Sequence, residues 1–353
     1  MDRVAQSRIK RVKKKRQRKW LIRILLSVLV TAIGIGAFVG TQIFGAVSKG
    51  HDDTIGKSDL REKKVEPKTE PFTVLLIGTD QINTEGEKEA WRPDVIMLAA
   101  INPKTKSMKI VSIPRDTYVT IANTNGFKSK INSAAYWGKK KGVGEVKNTI
   151  QTVENFLNVP VDYYAKINFK GFTDLVNIMG GVDVYNSFYF KTQGFQEDFT
   201  NTKQYSFTAG NHHLNGDQAL AFVRYRKKDP EGDHGRNKRQ QQVISKLLEK
   251  LVSFEGLTKF NEITKVVGDN FSYSFDPSDF LSLQATYNNV KGNTKTIKFA
   301  TTSEKRGGIW YEICSTAERK RVSQELQQQI EYVPKQGIGS ESNTSKNTAG
   351  DGN

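Results

Sequence analysis

The sequence predicts an α/β domain whose mixed sheet is covered by helices on both faces, placed outside the cytoplasm behind one membrane helix. Three observations predict it. Short β-rich apolar runs alternate with segments of helical spacing. The first three of these runs, at 72–77, 95–101 and 108–113, follow one another with turn chemistry between them and no helix, so they form an antiparallel meander inside the sheet. A charge-free stretch at 24–47 follows a strongly basic head.

The 353 residues hold 54 Lys and Arg against 37 Asp and Glu, with 37% hydrophobic residues, enough for a packed core. Residues 1–23 hold eleven of the bases and one acid, a charge of +10, which leaves +7 for the remaining 330 residues. A mildly basic body gives no footprint for nucleic acid, and a short basic tail is no folded reader, so no nucleic-acid partner is expected. The 24 residues of 24–47 make about 36 Å of helix at roughly 1.5 Å per residue, against a hydrocarbon core of about 30 Å. The run is longer than a signal-peptide core and lacks an A-x-A-like cleavage site. With bases before it, the positive-inside rule puts the N-terminus in the cytoplasm and the rest outside. Residues 48–70 are polar and charged without an apolar period and read as a stalk. Residues 335–353, rich in Gly, Ser, Asn and Thr, read as a disordered tail. Between them, 71–334 is one domain. Its single cysteine, Cys314, has no partner for an internal disulfide.

After the meander, 163–168, 182–185, 296–301 and 309–313 read as strands. Helical spacing marks 144–157, 172–179, 217–223, 236–254, 277–287 and 316–330. A strand ending at Gly78 and an antiparallel neighbour beginning at Val95 bring Asp80 and Asp94 to one sheet edge, and the third strand returns to the same edge at Arg115 and Asp116. Two carboxylates and an arginine suit Mg²⁺ with a phosphate substrate, since Mg²⁺ takes one or two carboxylates and lets phosphate oxygens complete its shell. Spacing alone leaves a plainer reading open, in which the aspartates form turns and caps and Arg115 pairs with Asp116.

On the helix after residue 236, Arg236, Gln240, Val243, Leu247 and Leu251 fall within an arc of about 80°, so an apolar stripe continues into an arginine and a glutamine. A guanidinium on a core-facing arc needs an acid or an anionic ligand, because an unpaired buried charge costs several kcal/mol. Arg224 and Arg226 point the same way if their segment is extended. Arginine grips phosphate with a planar fork, so the cluster reads as an anion site, with a solvated basic surface as the alternative. His212 and His213 are adjacent and diverge, and no second ligand pair has zinc spacing. Walker A, Rossmann and G-x-S-x-G patterns are absent from the sequence.

These residues lie in a series of motifs: LLIGTD (75–80), RPDVIML (92–98), SIPRDTYV (112–119), KINSAAYWG (130–138), GFTDLVNIMGGVDV (171–184), LNGDQALAFVRYR (214–226) and DHGRNKRQQ (233–241). In this order the chain resembles the LytR-CpsA-Psr family of envelope phosphotransferases from about residue 72 to 251. The resemblance implies transfer of an anionic glycopolymer, most commonly teichoic acid, from a polyprenyl-pyrophosphate lipid to the C6 hydroxyl of N-acetylmuramic acid in peptidoglycan. It implies metal-binding aspartates at Asp80 and Asp94, with Mg²⁺ as the cofactor and Mn²⁺ as a substitute. It implies diphosphate-binding groups at Arg115, Arg224, Arg226 and Arg236, with Gln240 beside them. Where the family often has an arginine two residues after the first aspartate this chain has Ile82, so Arg92 is the substitute for that contact. Asp233 is the candidate for taking the acceptor proton, its alternative being an arginine partner or helix cap. The family's lipid groove implies an apolar tunnel, for which Phe156, Phe169, Phe172 and Phe222 are candidates. Two other functions use the same residues: hydrolysis of lipid diphosphates, and a membrane-anchored regulator without turnover.

Overall fold

The computed structural model describes residues 51–79, 90–193, 203–226, 228–251, 263, 268–276 and 279–334, all within the unit Lys49–Asn353. The head at 1–23, the segment 24–47 and the tail at 335–353 lie outside the described residues. Among the described residues no helix is long and apolar enough to cross a membrane.

The meander forms as expected. Strand β1 (Phe72–Thr79) pairs antiparallel with β2 (Pro93–Asn102), and β2 with β3 (Ser107–Ser112). The turn between β2 and β3 is held by Asn102, whose Oδ1 accepts from the backbone N–H groups of Lys104 and Thr105. A short ribbon of β4 (Tyr118–Thr120) and β5 (Lys128–Lys130) leads into α1 (Ala134–Lys140) and α2 (Glu145–Leu157). Helix α2 stops at Asn158, which takes the left-handed conformation at φ 52° that asparagine tolerates. The chain then crosses to β6 (Tyr163–Ile167), parallel to β1, as a helical crossover requires.

Next come α3 (Phe169–Ile178), β7 (Val182–Asn186), β8 (Phe190–Gln193), β9 (Gln204–Phe207), β10 (Gly210–Leu214) and α4 (Gly216–Arg224). Helix α4 begins with a capping box between Asn215 and Gln218, legible in the LNGDQ motif. Helix α5 (Asp233–Leu251), β11 (Phe271–Tyr273), α6 (Phe280–Val290), β12 (Thr294–Ile297), the hairpin of β13 (Thr302–Arg306) with β14 (Ile309–Ile313), and α7 (Thr316–Gln329) complete the order. The main sheet runs β11-β6-β1-β2-β3-β12, with β1–β6 and β3–β12 parallel and the other pairs antiparallel, the mixed sheet the meander predicts.

Alternation along β1 and β2 sends Leu75, Ile77, Ile96 and Leu98 to one face, where α2 supplies Ile150, Val153 and Leu157 and α7 supplies Val322 and Leu326. Asn102 donates to the carbonyl of Gln329 at 3.0 Å, and Gln329 donates to the carbonyl of Ser107 at 3.0 Å, so α7 is also latched to the β2–β3 turn. The opposite face meets α6 through Leu283 near Val74 and Tyr163, and through Val290 near Ala99 and Met108. A second core gathers α3, β7, β10, α4 and α5 around Val176, Phe222 and Val243.

Several expectations are corrected. The stretch read as a stalk is packed from His51 onward: His51 bridges Tyr273, Ser58 donates to the Glu154 carboxylate, Arg61 pairs with Asp162 at 2.9 Å, and Val65 is buried beside Phe72. Its anchors are mostly polar and their partners about a hundred residues away, so no apolar period marks them. The helix expected at 277–287 spans Phe280–Val290, and the strand expected at 296–301 spans Thr294–Ile297. Strands β4, β5, β8, β9, β10, β11 and β13 and helix α1 were not foreseen, being short or rich in polar residues.

Candidate active site

Strand β1 ends at Thr79, opposite Pro93, after a bulge between Gly78 and Thr79. Asp94 follows on β2, and Arg115 lies just beyond β3, the juxtaposition the meander predicts. Arg115 Nη1 donates to Asp94 Oδ1 at 2.6 Å, while Asp116, its sequence neighbour, pairs at 2.7 Å with Lys130 on β5. Arg115 Nε also lies 3.7 Å from Asp116 Oδ2, so the pairing with Asp116 read from the sequence is present as well, and Arg115 sits between the two aspartates. Asp80, the residue after Thr79, lies outside the described residues.

The opposite wall comes from α4 and α5. Arg224 closes α4 with its guanidinium 4.7 Å from the centre of the Phe169 ring, Tyr225 is extended at φ −60° and ψ 131°, and Arg226 follows, exposed. Arg236 and Gln240 lie one turn apart on α5, and Gln240 is buried. Asp94, Arg115, Arg224, Arg226, Arg236 and Gln240 all line one cavity of about 1100 Å³. Arg92 is exposed and is not among the lining residues. Asp233 opens α5, and its side chain lies outside what is described.

Behind this charged mouth the walls turn apolar. Leu76 and Ile167 from the sheet, Phe172 and Leu175 from α3, Val243, Ile244 and Leu247 from α5, and Phe271 from β11 line the interior. Of the four phenylalanines proposed for a tunnel, Phe169 and Phe172 line it. Phe156 instead packs edge-on against Phe299 in the main core, and Phe222 against Phe207 in the second core. The cavity is thus apolar inside and cationic at its rim. Thr79 Oγ1 lies at the rim, buried and without a hydrogen-bond partner among the described residues.

Sequence reasoning missed what holds this rim. Arg239 is buried, pairs with Asp229 at 2.5 Å, donates to the carbonyls of Phe222 and Tyr225, and sits about 5.5 Å from the Tyr225 ring. It fixes the segment carrying Arg224 and Arg226 to α5. Gly235 is required beside it, because a Cβ there would collide with the Asp229 carboxylate. Arg239 lies about 40° outside the predicted arc, and its partners are mostly backbone carbonyls, which leave no sequence signal. Gln241 ties α5 to the sheet through Ser112 and Thr296. His212 and His213 are occupied separately, by the Thr208 carbonyl and the Asp183 carboxylate, and that hydrogen bond holds Asp183 below the usual carboxylate range.

Residues 39–328 match the model of the LytR_cpsA_psr family. The polyisoprenyl-teichoic acid–peptidoglycan teichoic acid transferase TagV of Bacillus subtilis is 34% identical over 331 residues, 91% of this chain and 82% of the relative. The enzyme of the same description named TagU in Bacillus anthracis is 36% identical over 319 residues, 89% of this chain and 97% of the relative. Among solved structures, B. subtilis TagV superposes with a TM-score of 0.62 at 33% identity, covering 75% of this chain and 99% of that one. TagT bound to LI-WTA does so with a TM-score of 0.61 at 27% identity, covering 80% of this chain and 99% of that one. With the family match spanning most of its length, the chain belongs to the LytR-CpsA-Psr family.

Proposed function

We propose that this protein is a phosphotransferase that moves an anionic glycopolymer, with wall teichoic acid as the first choice, from a polyprenyl-pyrophosphate carrier to the C6 hydroxyl of N-acetylmuramic acid in peptidoglycan. The observation that carries this reading is the continuity of an apolar cavity with a mouth lined by Arg115, Arg224, Arg226 and Arg236. A lipid diphosphate has that division of hydrocarbon and charge. The named activities of the teichoic acid transferase relatives support the same reaction class.

In the reaction, the acceptor oxygen forms a bond to the phosphorus attached to the glycan, the bond from that phosphorus to the bridging oxygen breaks, and the lipid phosphate leaves. Charge grows on the departing oxygen as the bond breaks, and guanidiniums fixed before substrate arrives stabilise it without reorganising. Arg115 is held by Asp94, and Arg224 by the Arg239 scaffold beside it, so both are preorganised. Asp233 is the proposed acceptor of the hydroxyl proton.

Among the described residues the mouth offers a hard divalent cation one carboxylate, Asp94; with Asp80 as the proposed second ligand, coordination positions remain for phosphate oxygens. Mg²⁺, or Mn²⁺ in its place, would be held by these two aspartates and would neutralise diphosphate charge. The proposal includes 24–47 as the single membrane span, with the N-terminus cytoplasmic and the domain outside.

The test is product analysis by mass spectrometry, using the purified full chain with a polyprenyl-pyrophosphate glycan, uncrosslinked peptidoglycan and Mg²⁺. A glycan-phosphate-peptidoglycan product is expected, formed on the order of 10²–10³ times more slowly by Arg115→Ala and by Asp94→Asn. Free glycan phosphate in place of the joined product would make the protein a hydrolase, and binding without turnover would leave only a regulator.

A further inference from the structure

The β13–β14 hairpin does not line the cavity, but its second strand pairs with the segment that directly follows Arg115. Its position follows from the pairing. The backbone N–H of Glu312 donates to the Asp116 carbonyl at 2.9 Å, and Thr117 bridges Glu312 in parallel. From Thr117 the chain runs down past β4 to Ala122, which bonds Thr152 midway along α2, and so moves away from the mouth. Strand β14 runs in the same direction, so the earlier residues of the hairpin lie on the far side of Asp116. Ile309, three residues before Glu312, therefore projects about 10 Å past the sheet edge at roughly 3.3 Å per residue.

The apex is built to hold its shape. Gly307 and Gly308 both have positive φ, 55° and 84°, which gives a tight two-residue turn matched to strand twist. At that apex Ile309 is 50% and Trp310 60% exposed, beside the exposed bases Lys305 and Arg306. The one acid there, Glu304, pairs with Arg306, whose guanidinium is turned back to 4.6 Å from the centre of the Tyr118 ring. An indole and an aliphatic side chain held out in water next to the exposed Lys305 match the headgroup level of a bilayer, where tryptophan rings settle and basic side chains meet anionic lipids.

The direction of the first described residues agrees. Strand β11 starts at the mouth, with Phe271 opposite Ile167 and Ile167 opposite Gly78, and runs away from it. His51 bridges Tyr273 in parallel and the backbone N–H of Asp52 donates to the Tyr273 carbonyl, so residues 51 and 52 run alongside β11 away from the mouth, on whose side the hairpin projects.

We infer that the β13–β14 apex is a membrane-contacting element, with Ile309 and Trp310 in the headgroup region of an anionic bilayer and Lys305 among the lipid phosphates. It holds the mouth against the leaflet that supplies a lipid-linked donor. The inference rests on the donor being a lipid diphosphate and on 24–47 being a span. A glycan strand stacking on Trp310 is the competing occupant.

The experiment reconstitutes the full chain in phosphatidylglycerol–phosphatidylethanolamine vesicles with brominated acyl chains and reads tryptophan quenching. Trp20→Phe is the background, which removes the indole next to the span, and Trp20→Phe/Trp310→Phe is the comparison. Quenching by brominated lipid is expected to fall by about half when Trp310 is replaced, since Trp91 is buried and Trp137 half-buried. Equal quenching in the two proteins overturns the inference, as does shielding of Trp310 that appears only when soluble peptidoglycan fragments are added. In the transfer assay, Ile309→Asp/Trp310→Asp is expected to lower kcat/KM about fivefold for a bilayer-resident donor and less than about twofold for a short-chain donor in detergent. Equal losses with both donors also overturn it. If the wild-type protein joins neither donor, the transferase reading fails by itself, and the quenching still decides the membrane contact.

Discussion

Replacing Glu154 with glutamine should change how the stability of the protein depends on pH. Glu154 lies on α2, buried, with one carboxylate oxygen accepting from Ser58 Oγ and from the backbone N–H of Val161 at 2.8 Å. Burial pushes its pKa up from 4.5 to about 7, aided by the nearby Asp59 and Asp162 and opposed by those two hydrogen bonds. Between these two pKa values the folded chain keeps a proton that the unfolded chain has lost, so stability falls as pH rises through the window and the loss is complete above about pH 7. With about 1.4 kcal/mol per pKa unit, the fall from pH 5 to pH 8 is about 2.5 kcal/mol. Carboxylates held low, such as Asp52 and Glu318, make their contribution fully above about pH 5 and add no slope there. Guanidinium unfolding of the full chain in detergent, followed by tryptophan fluorescence at pH 5, 6, 7 and 8, should show this decline in the wild type. Glu154→Gln, uncharged throughout, should lack the part due to Glu154 and be the more stable protein, relative to wild type, at pH 8. Parallel profiles for the two proteins would refute the reasoning.

Three further outcomes are expected. Arg239→Ala or Asp229→Ala should lower stability by about 3–5 kcal/mol, because each leaves a buried charge uncompensated; Gly235→Ala should also destabilise, and denaturant midpoints check all three. Ile244→Trp, which fills part of the apolar cavity, should displace about two lipid methylenes at about 0.8 kcal/mol each, raising the Kd for a long-chain lipid diphosphate roughly tenfold and leaving a short-chain one unchanged in equilibrium binding. Cys314 is half-buried with its thiol pushed up to about 11 by burial, so at pH 8 roughly one molecule in a thousand carries the thiolate. Iodoacetamide labelling should be correspondingly slow, rising on the order of a hundredfold when the chain is unfolded at the same pH.

The meander was legible because 72–77, 95–101 and 108–113 are short β-rich apolar runs joined by turn chemistry, and antiparallel register then fixes which residues share an edge. That is why the sequence puts Asp94 and Arg115 together, and in the fold they meet at 2.6 Å. The α5 arc was legible for the same kind of reason, with Arg236 and Gln240 extending an apolar stripe that reaches Val243 and Leu247. What stayed hidden depends on partners far away in sequence. Arg239 finds the carbonyls of Phe222 and Tyr225, Ser58 finds Glu154, and Arg61 finds Asp162, none of which alters local periodicity. Hairpins such as β8–β9 pair through backbone groups that every sequence carries, and their polar residues give no alternation to follow. Phe156 and Phe222 show the converse: an aromatic residue announces burial without announcing which of two cores receives it.

The latch of α7 onto the β2–β3 turn bears on how the chain folds. Asn102 and Gln329 are 227 residues apart, and β12 joins β3 across nearly as long a separation. Leu98 and Val111 therefore stay uncovered until Val322, Leu326 and Ile330 arrive. Contacts of such long range make closure slow. Growth from the N-terminus cannot complete this layer piece by piece, and a chain cut short before residue 316 would display an open apolar sheet face, the kind of surface through which unfinished proteins aggregate.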